Sequence, residues 1–148
     1  MMRLGRRYRF AASHRLHAVS LSAEENRALY GKCNNPHGHG HNYEVEVTLR
    51  GPVDDRTGRA ADPRALDELV RGEVIAAFDH KNLNTQIPAF GNKVPTSENL
   101  GLEICRRLQR AWPRAFPGGW PQLDKIEIAE TGRNIFQVSA DEIEQSPS

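Results

Sequence analysis

The sequence predicts an α+β domain, an antiparallel sheet with two helices packed on one face. Three observations predict it. Apolar and charged residues alternate near both ends of the chain, and two segments of 3.6-residue period lie between them. The resulting order is strand, strand, a short strand, helix, helix, strand, strand.

In residues 8–16, Tyr8, Phe10, Ala12, His14 and Leu16 share one parity and Arg7, Arg9 and Arg15 the other, as in a half-buried strand. Residues 17–40 read as loop, with Gly31, Asn34, Asn35, Pro36, Gly38 and Gly40 excluding a regular element at its end. The second strand sets Tyr43, Val45, Val47 and Leu49 against Glu44, Glu46 and Thr48. A turn from Gly51-Pro52 to Thr57-Gly58 then returns to a short strand near residues 59–61. Asp62-Pro63 starts a helix, with proline in its first turn. Leu66, Leu69, Val70, Val74, Ala77 and Phe78 carry it to about Asp79. The polar connection of residues 81–96 exceeds the ~12–15 residues at which loops become uncommon, which marks it as functional or interfacial. Ser97 reads as the cap of the second helix, with Leu100, Ile104, Leu108 and Ala111 on one face and Pro113 at its end. Two strands, residues 123–130 and 134–139, flank the tight Thr131-Gly132-Arg133 and close the fold. Residues 140–148 read as a frayed tail of a single domain spanning 1–148.

Lys+Arg total 20 against Asp+Glu 19, so electrostatics gives no reason to expect nucleic acid or an anionic membrane as partner. An anionic ligand must therefore be held by a local cluster. No run approaches the ~18 apolar residues of a membrane span, and no apolar stretch follows the charged first residues as in a signal peptide. Cys33 and Cys105 lie in unlike settings and ask for no disulfide. A cytoplasmic location is the default expectation.

Three of six histidines fall in His37-Gly38-His39-Gly40-His41. Histidines two apart in an extended segment point the same way, so His39 and His41 can chelate one ion. Both share the parity of Tyr43, Val45 and Val47, and His14 lies on the apolar parity of the first strand. Three imidazoles on a half-buried face suggest zinc, with a fourth position open for catalysis. A lone histidine such as His14 is more often a hydrogen-bonded core residue; the glycine-spaced cluster reverses that preference. A His37/His39 pair has the same spacing and competes, although His41 is anchored to the strand and His37 follows a proline turn. His17 has no supporting context.

Cys33 sits in a polar loop beside Lys32, and a nearby cation lowers a thiol's pKa. It reads as a reactive thiol, with an inert buried cysteine or a fourth zinc ligand as alternatives. Asp79-His80 ends the first helix, where the helix dipole alone favours a histidine and an acid–base pair is equally well placed. Glu130 continues the parity of Ile126 and Ile128, which puts a carboxylate at the buried side of a strand end. A planar ligand donating two hydrogen bonds would satisfy it, as would an internal Arg or Lys.

These stretches together resemble the 6-pyruvoyltetrahydropterin synthase family nearly end to end, from about Tyr8 to Val138. The matching runs are Phe10-Ala11-Ala12-Ser13-His14-Arg15-Leu16, Leu21-Ser22-Ala23-Glu24-Glu25-Asn26 and Gly31-Lys32-Cys33-Asn34-Asn35-Pro36. Gly38-His39-Gly40-His41-Asn42-Tyr43, Asp79-His80-Lys81-Asn82-Leu83-Asn84, Thr96-Ser97-Glu98-Asn99 and Glu130-Thr131 complete them.

The resemblance implies a T-fold, a four-stranded antiparallel sheet with two helices on one face, assembled as trimers or hexamers. It implies zinc on His14, His39 and His41, Cys33 as proton-abstracting base, and Asp79 and His80 completing a triad across a subunit boundary. Glu130 would anchor the pterin ring, with Thr96 and Ser97 beside it. The implied substrate is 7,8-dihydroneopterin triphosphate, with Mg2+ accompanying its triphosphate. The related 6-carboxytetrahydropterin synthases of queuosine biosynthesis share substrate and metal but remove the side chain. Their cysteine typically precedes the first histidine of the pair by three intervening residues. Cys33 to His39 leaves five, as in the pyruvoyl enzymes, whereas Cys33 to His37 leaves three. A non-catalytic oligomeric module with a structural zinc is the third reading.

Overall fold

Alternating polarity builds the two longest strands in a computed structural model that describes residues 1–143. β1 (Met2–His14) and β2 (His39–Gly51) pair antiparallel throughout, from Met2 opposite Gly51 to His14 opposite His39. β1 begins well before the expected residue 8. On its inward parity Leu4 and Arg6 are half-buried, while on the other Arg3, Gly5 and Arg7 are exposed. With Arg6 on the inward parity the apolar alternation is too sparse to mark the strand from sequence, so backbone pairing extends it. Phe10, Ala12 and His14 on β1 and Tyr43, Val45, Val47 and Leu49 on β2 are buried towards the helices. On the opposite face the Arg7 guanidinium lies 3.6 and 3.5 Å from the Glu44 and Glu46 carboxylates.

The expected loop of residues 17–40 holds a helix, α1 (Ala23–Tyr30), and a 3-10 turn, Gly31–Asn34. A capping box starts α1: Glu25 N–H donates to Ser22 Oγ, and Ser22 N–H to Glu25 Oε1. Asn26 is its one buried residue, so α1 has no apolar stripe and periodicity is silent about it. No strand forms near residues 59–61. There Asp54 N–H donates to the Arg59 carbonyl and Gly58 N–H to the Asp54 carbonyl, closing the polar segment on itself.

Asp62 caps α2 (Pro63–Val70), which continues through π-helical Arg71–Ile75 into α3 (Ala76–Phe78). Leu66, Val70, Val74 and Phe78 are fully buried, each side chain of this size contributing about 1.5–3 kcal/mol. The long connection is structured. β3 (Lys81–Asn82) pairs parallel with Ala12 and Ser13 of β1, and α4 (Leu83–Gln86) and a 3-10 turn, Pro88–Phe90, follow. α5 (Ser97–Ala115) is capped by Thr96, not Ser97, through Asn99 N–H donating to Thr96 Oγ1. It runs past Pro113, which lies in its last turn and removes a single donor.

β4 (Gln122–Ala129) and β5 (Ile135–Ser139) complete an open sheet of order β3-β1-β2-β4-β5, so the two-residue β3 adds a fifth strand to the expected four. Ala140–Glu142 forms a 3-10 turn, and Ala140 and Ile143 are buried, so the expected tail packs at its start. Residues 144–148 of that tail lie outside the described residues.

Candidate active site

The β1–β2 ladder ends on His14 opposite His39, with His41 opposite Ala12, so register puts all three imidazoles on the buried side of the sheet. Gly38 turns the chain into β2 with φ +73°. A Cβ there would stand 2.8 Å from the His14 carbonyl oxygen, so only glycine fits. Glu130 follows the last residue of β4, and Cys33 comes from the 3-10 turn. One metal-binding atom from each of His14, Cys33, His41 and Glu130 lies within 4.8 Å of the others.

His14 is 1% exposed, and its Nδ1 donates to the Pro95 carbonyl oxygen at 2.9 Å. A carbonyl only accepts, so the proton sits on Nδ1 and the lone pair on Nε2. The Tyr43 hydroxyl lies 3.2 Å from the same Nδ1. The Nε2 atoms of His14 and His41 are both buried without a hydrogen-bond partner among the described residues. Glu130 Oε1 stands 3.1 Å from the His41 nitrogen and 3.9 Å from the His14 nitrogen, neither aligned as a hydrogen bond. Its other oxygen, Oε2, accepts from Ser97 Oγ at 2.7 Å. Each orphaned buried nitrogen costs about 1–3 kcal/mol, a cost that a bound cation removes. The donor set of imidazole, thiol and carboxylate suits a divalent transition metal such as zinc.

Burial holds His14 below the ordinary imidazole range, against the Pro95 hydrogen bond and the Glu130 charge. Burial, then the Glu130 charge, push the Cys33 thiol up. The lowering expected from Lys32 is therefore not what the chain alone produces, since the Lys32 side chain is exposed. A bound dication would act in the opposite sense.

His39 stands apart from this group. Its Nε2 faces the Lys32 carbonyl, and its ring centre is 6.1 Å from that of His41, against 4.7 Å between His14 and His41. His37 is exposed and outside the group. Asp79 Oδ1 accepts from Ala11 N–H at 2.9 Å, and Oδ2 lies 3.0 Å from His80 Nδ1. The Ala11 hydrogen bond and then the His80 charge hold the Asp79 carboxyl below its ordinary range, against some burial. His80 adopts φ +59°, fixed by its N–H donating to the Ala11 carbonyl, and its ring is 82% exposed. The pair stands outside the Cys33 group. His80 lines a cleft of about 450 Å³ with Ser13, His41 and Lys81. Thr96 acts as helix cap, and Ser97 reaches Glu130 in place of the internal Arg or Lys considered from sequence.

Sequence reasoning missed Pro95 and Tyr43 as partners of His14. A backbone carbonyl leaves no sequence signal. A tyrosine on buried parity does, because its hydroxyl needs a partner.

Fold and site define a class: a small α+β protein with a histidine-rich centre at one end of its sheet, whose donor set is compatible with a metal ion. The family model described as 6-pyruvoyl tetrahydropterin synthase matches residues 3–141, and the chain belongs to that family. It is 44% identical over 126 residues to the 6-pyruvoyl tetrahydrobiopterin synthase of Poecilia reticulata, covering 85% of this chain and 82% of the relative. The solved 6-pyruvoyl tetrahydropterin synthase of Caenorhabditis elegans superposes with a TM-score of 0.84 at 37% identity, over 93% of this chain and 94% of that one. The 6-carboxy-5,6,7,8-tetrahydropterin synthase of Rickettsia bellii is 27% identical, over 93% of this chain and 100% of its own length. Among the described residues no helix is long and apolar enough to cross a membrane.

Proposed function

We propose that the chain is a zinc-dependent lyase that converts 7,8-dihydroneopterin triphosphate to 6-pyruvoyltetrahydropterin with loss of triphosphate. The observation that carries the metal reading is the pair of orphaned, buried Nε2 atoms on His14 and His41 beside Cys33 and Glu130. His14, His39 and His41 hold the ion, His39 by turning from the Lys32 carbonyl onto the face it already shares with the other two. Zinc bound there supplies Lewis-acid polarisation of the substrate's side-chain hydroxyls. Cys33 takes the proton from the adjacent carbon. Asp79 orients His80, which serves a Cys33 of a neighbouring chain in a trimer or hexamer. Glu130, held by Ser97, accepts hydrogen bonds from the pterin edge, with Thr96 beside the ring. Mg2+ accompanies the triphosphate, and the enzyme works in the cytoplasm.

The second reading, a 6-carboxytetrahydropterin synthase, draws on the Rickettsia bellii relative and on Cys33–His37 spacing, and the exposed His37 weakens it. Mass spectrometry after incubation with zinc, magnesium and 7,8-dihydroneopterin triphosphate separates the two. We expect 6-pyruvoyltetrahydropterin and triphosphate; acetaldehyde with a 6-carboxy pterin would overturn the product assignment. Metal analysis of His39→Ala and Cys33→Ala tests the ligand set. We expect His39→Ala to lose zinc and Cys33→Ala to retain it. The reverse result would mean a closed, structural site with cysteine as ligand.

A further inference from the structure

We propose that the pocket enclosed by the end of β1, α1 and the 3-10 turn binds the triphosphate arm of the substrate. This rests on the pterin triphosphate reading above and adds the residues that hold the anion. The pocket, of about 240 Å³, is lined by Arg15, His17, Arg27 and Lys32, together with Asn34 and its neighbours, and among the described residues by no carboxylate. In a chain of net charge +1 this is a strong local excess of positive charge. Arg15, Arg27 and Lys32 form no ion pair among the described residues, so their charges are free for a ligand.

The donors are arranged in advance by one buried residue. Asn34, 6% exposed, accepts from Arg15 Nε at its carbonyl oxygen at 3.1 Å. Its Nδ2 donates to the Leu16 carbonyl at 2.7 Å and meets His17 Nδ1 at 3.0 Å. An amide nitrogen only donates, so His17 Nδ1 accepts and its proton lies on Nε2, which is left as a donor. Asn34 thus holds the Arg15 guanidinium by its Nε, and both Nη groups, the fork that matches phosphate oxygens, have no partner among the described residues.

Position ties the pocket to the metal-binding group. Arg15 follows His14 and Lys32 precedes Cys33, so two of its walls lie one residue, ~3.8 Å of chain, from that group. The hydroxyls and the phosphate ester of the substrate sit on one three-carbon side chain, which allows no longer a reach. The cleft along β3 is larger, but among the described residues Lys81 is its only permanent cation.

Titration of inorganic triphosphate into the zinc-loaded full chain tests this, with Arg27→Gln, Lys32→Gln, their double variant and Lys81→Gln. The Arg27 and Lys32 side chains lie exposed, so the fold survives their replacement; matching melting temperatures check this. Losing a charge-assisted hydrogen bond should weaken triphosphate binding about tenfold or more in each single variant, and further in the double. Binding of 7,8-dihydroneopterin, which lacks the phosphates, should stay at the wild-type level in all of them. Unchanged triphosphate affinity in the double variant, no binding by the wild type, or loss only in Lys81→Gln would overturn the pocket assignment. A wild-type protein that binds triphosphate in this pocket and not dihydroneopterin would sink the pterin reading and leave the anion site standing.

Discussion

Cys33 shares a small volume with two imidazoles and a carboxylate, and burial followed by the Glu130 charge pushes its thiol up. A raised pKa means less thiolate at any given pH, so the bare chain holds a poor base and a slow nucleophile. Alkylation of Cys33 in metal-free protein should therefore need a higher pH than the ordinary thiol value of 9.0. Zinc held by the three histidines should move the alkylation profile to lower pH. Outright protection by zinc would show instead that the sulfur is a ligand. At this scale the sequence was legible where parity decides: His14 and His41 meet on the face that alternation assigns to them. It was not legible where a torsion angle decides. Parity places His39 on the same face but leaves its χ angles free, and in the chain alone its ring turns to the Lys32 carbonyl. The Pro95 carbonyl, which sets the His14 tautomer, arrives from a connection whose course no pattern specifies.

Elements are pinned to one another by a few polar contacts, of which Asp67 makes the densest set. Asp67, on α2, accepts from Arg6 Nε at 2.8 Å, Arg6 Nη2 at 3.0 Å and the Tyr8 hydroxyl at 2.7 Å, fastening the helix to β1. Burial raises the Asp67 carboxyl, but these hydrogen bonds outweigh it and hold the group below its ordinary 3.8. A carboxyl depressed in the folded state stabilises the fold above the unfolded pKa and loses that contribution as pH falls through the folded one. Asp67→Asn should melt below the wild type at pH 7, and the gap should close on acidification below 3.8. A gap that is unchanged down to pH 2 would show that packing, not charge, is lost. Elements with an apolar stripe, α2 and α5, were legible. α1 was not, because its capping box binds backbone and its one buried residue is polar. The predicted strand at residues 59–61 failed because Arg59, Ala60 and Ala61 offer no β-branched or aromatic side chain to lay on the sheet, and local hydrogen bonds close the preceding loop instead.

For the molecule as a whole, the layer arrangement followed from sequence because alternation and helical period are global constraints, while completion of the site depends on surfaces that one chain leaves open. β3 covers β1 only at Ala12 and Ser13, and at the other edge of the sheet Ile135 of β5 is 65% exposed. Near the first edge, Asp79 and His80 are held firmly against Ala11, yet the His80 ring is 82% exposed and outside the group around Cys33. A strained, fixed and exposed histidine is placed to serve a neighbour, so in the proposed oligomer each site takes Cys33 from one chain and His80 from the next. Co-refolding the inactive variants Cys33→Ala and His80→Ala in equal amounts tests this sharing. Under random assembly each site draws an intact cysteine half the time and, independently, an intact histidine half the time. Roughly a quarter of wild-type turnover should then return. If both groups came from the same chain, every site in the mixture would lack one of them and turnover would stay at the level of the separate variants.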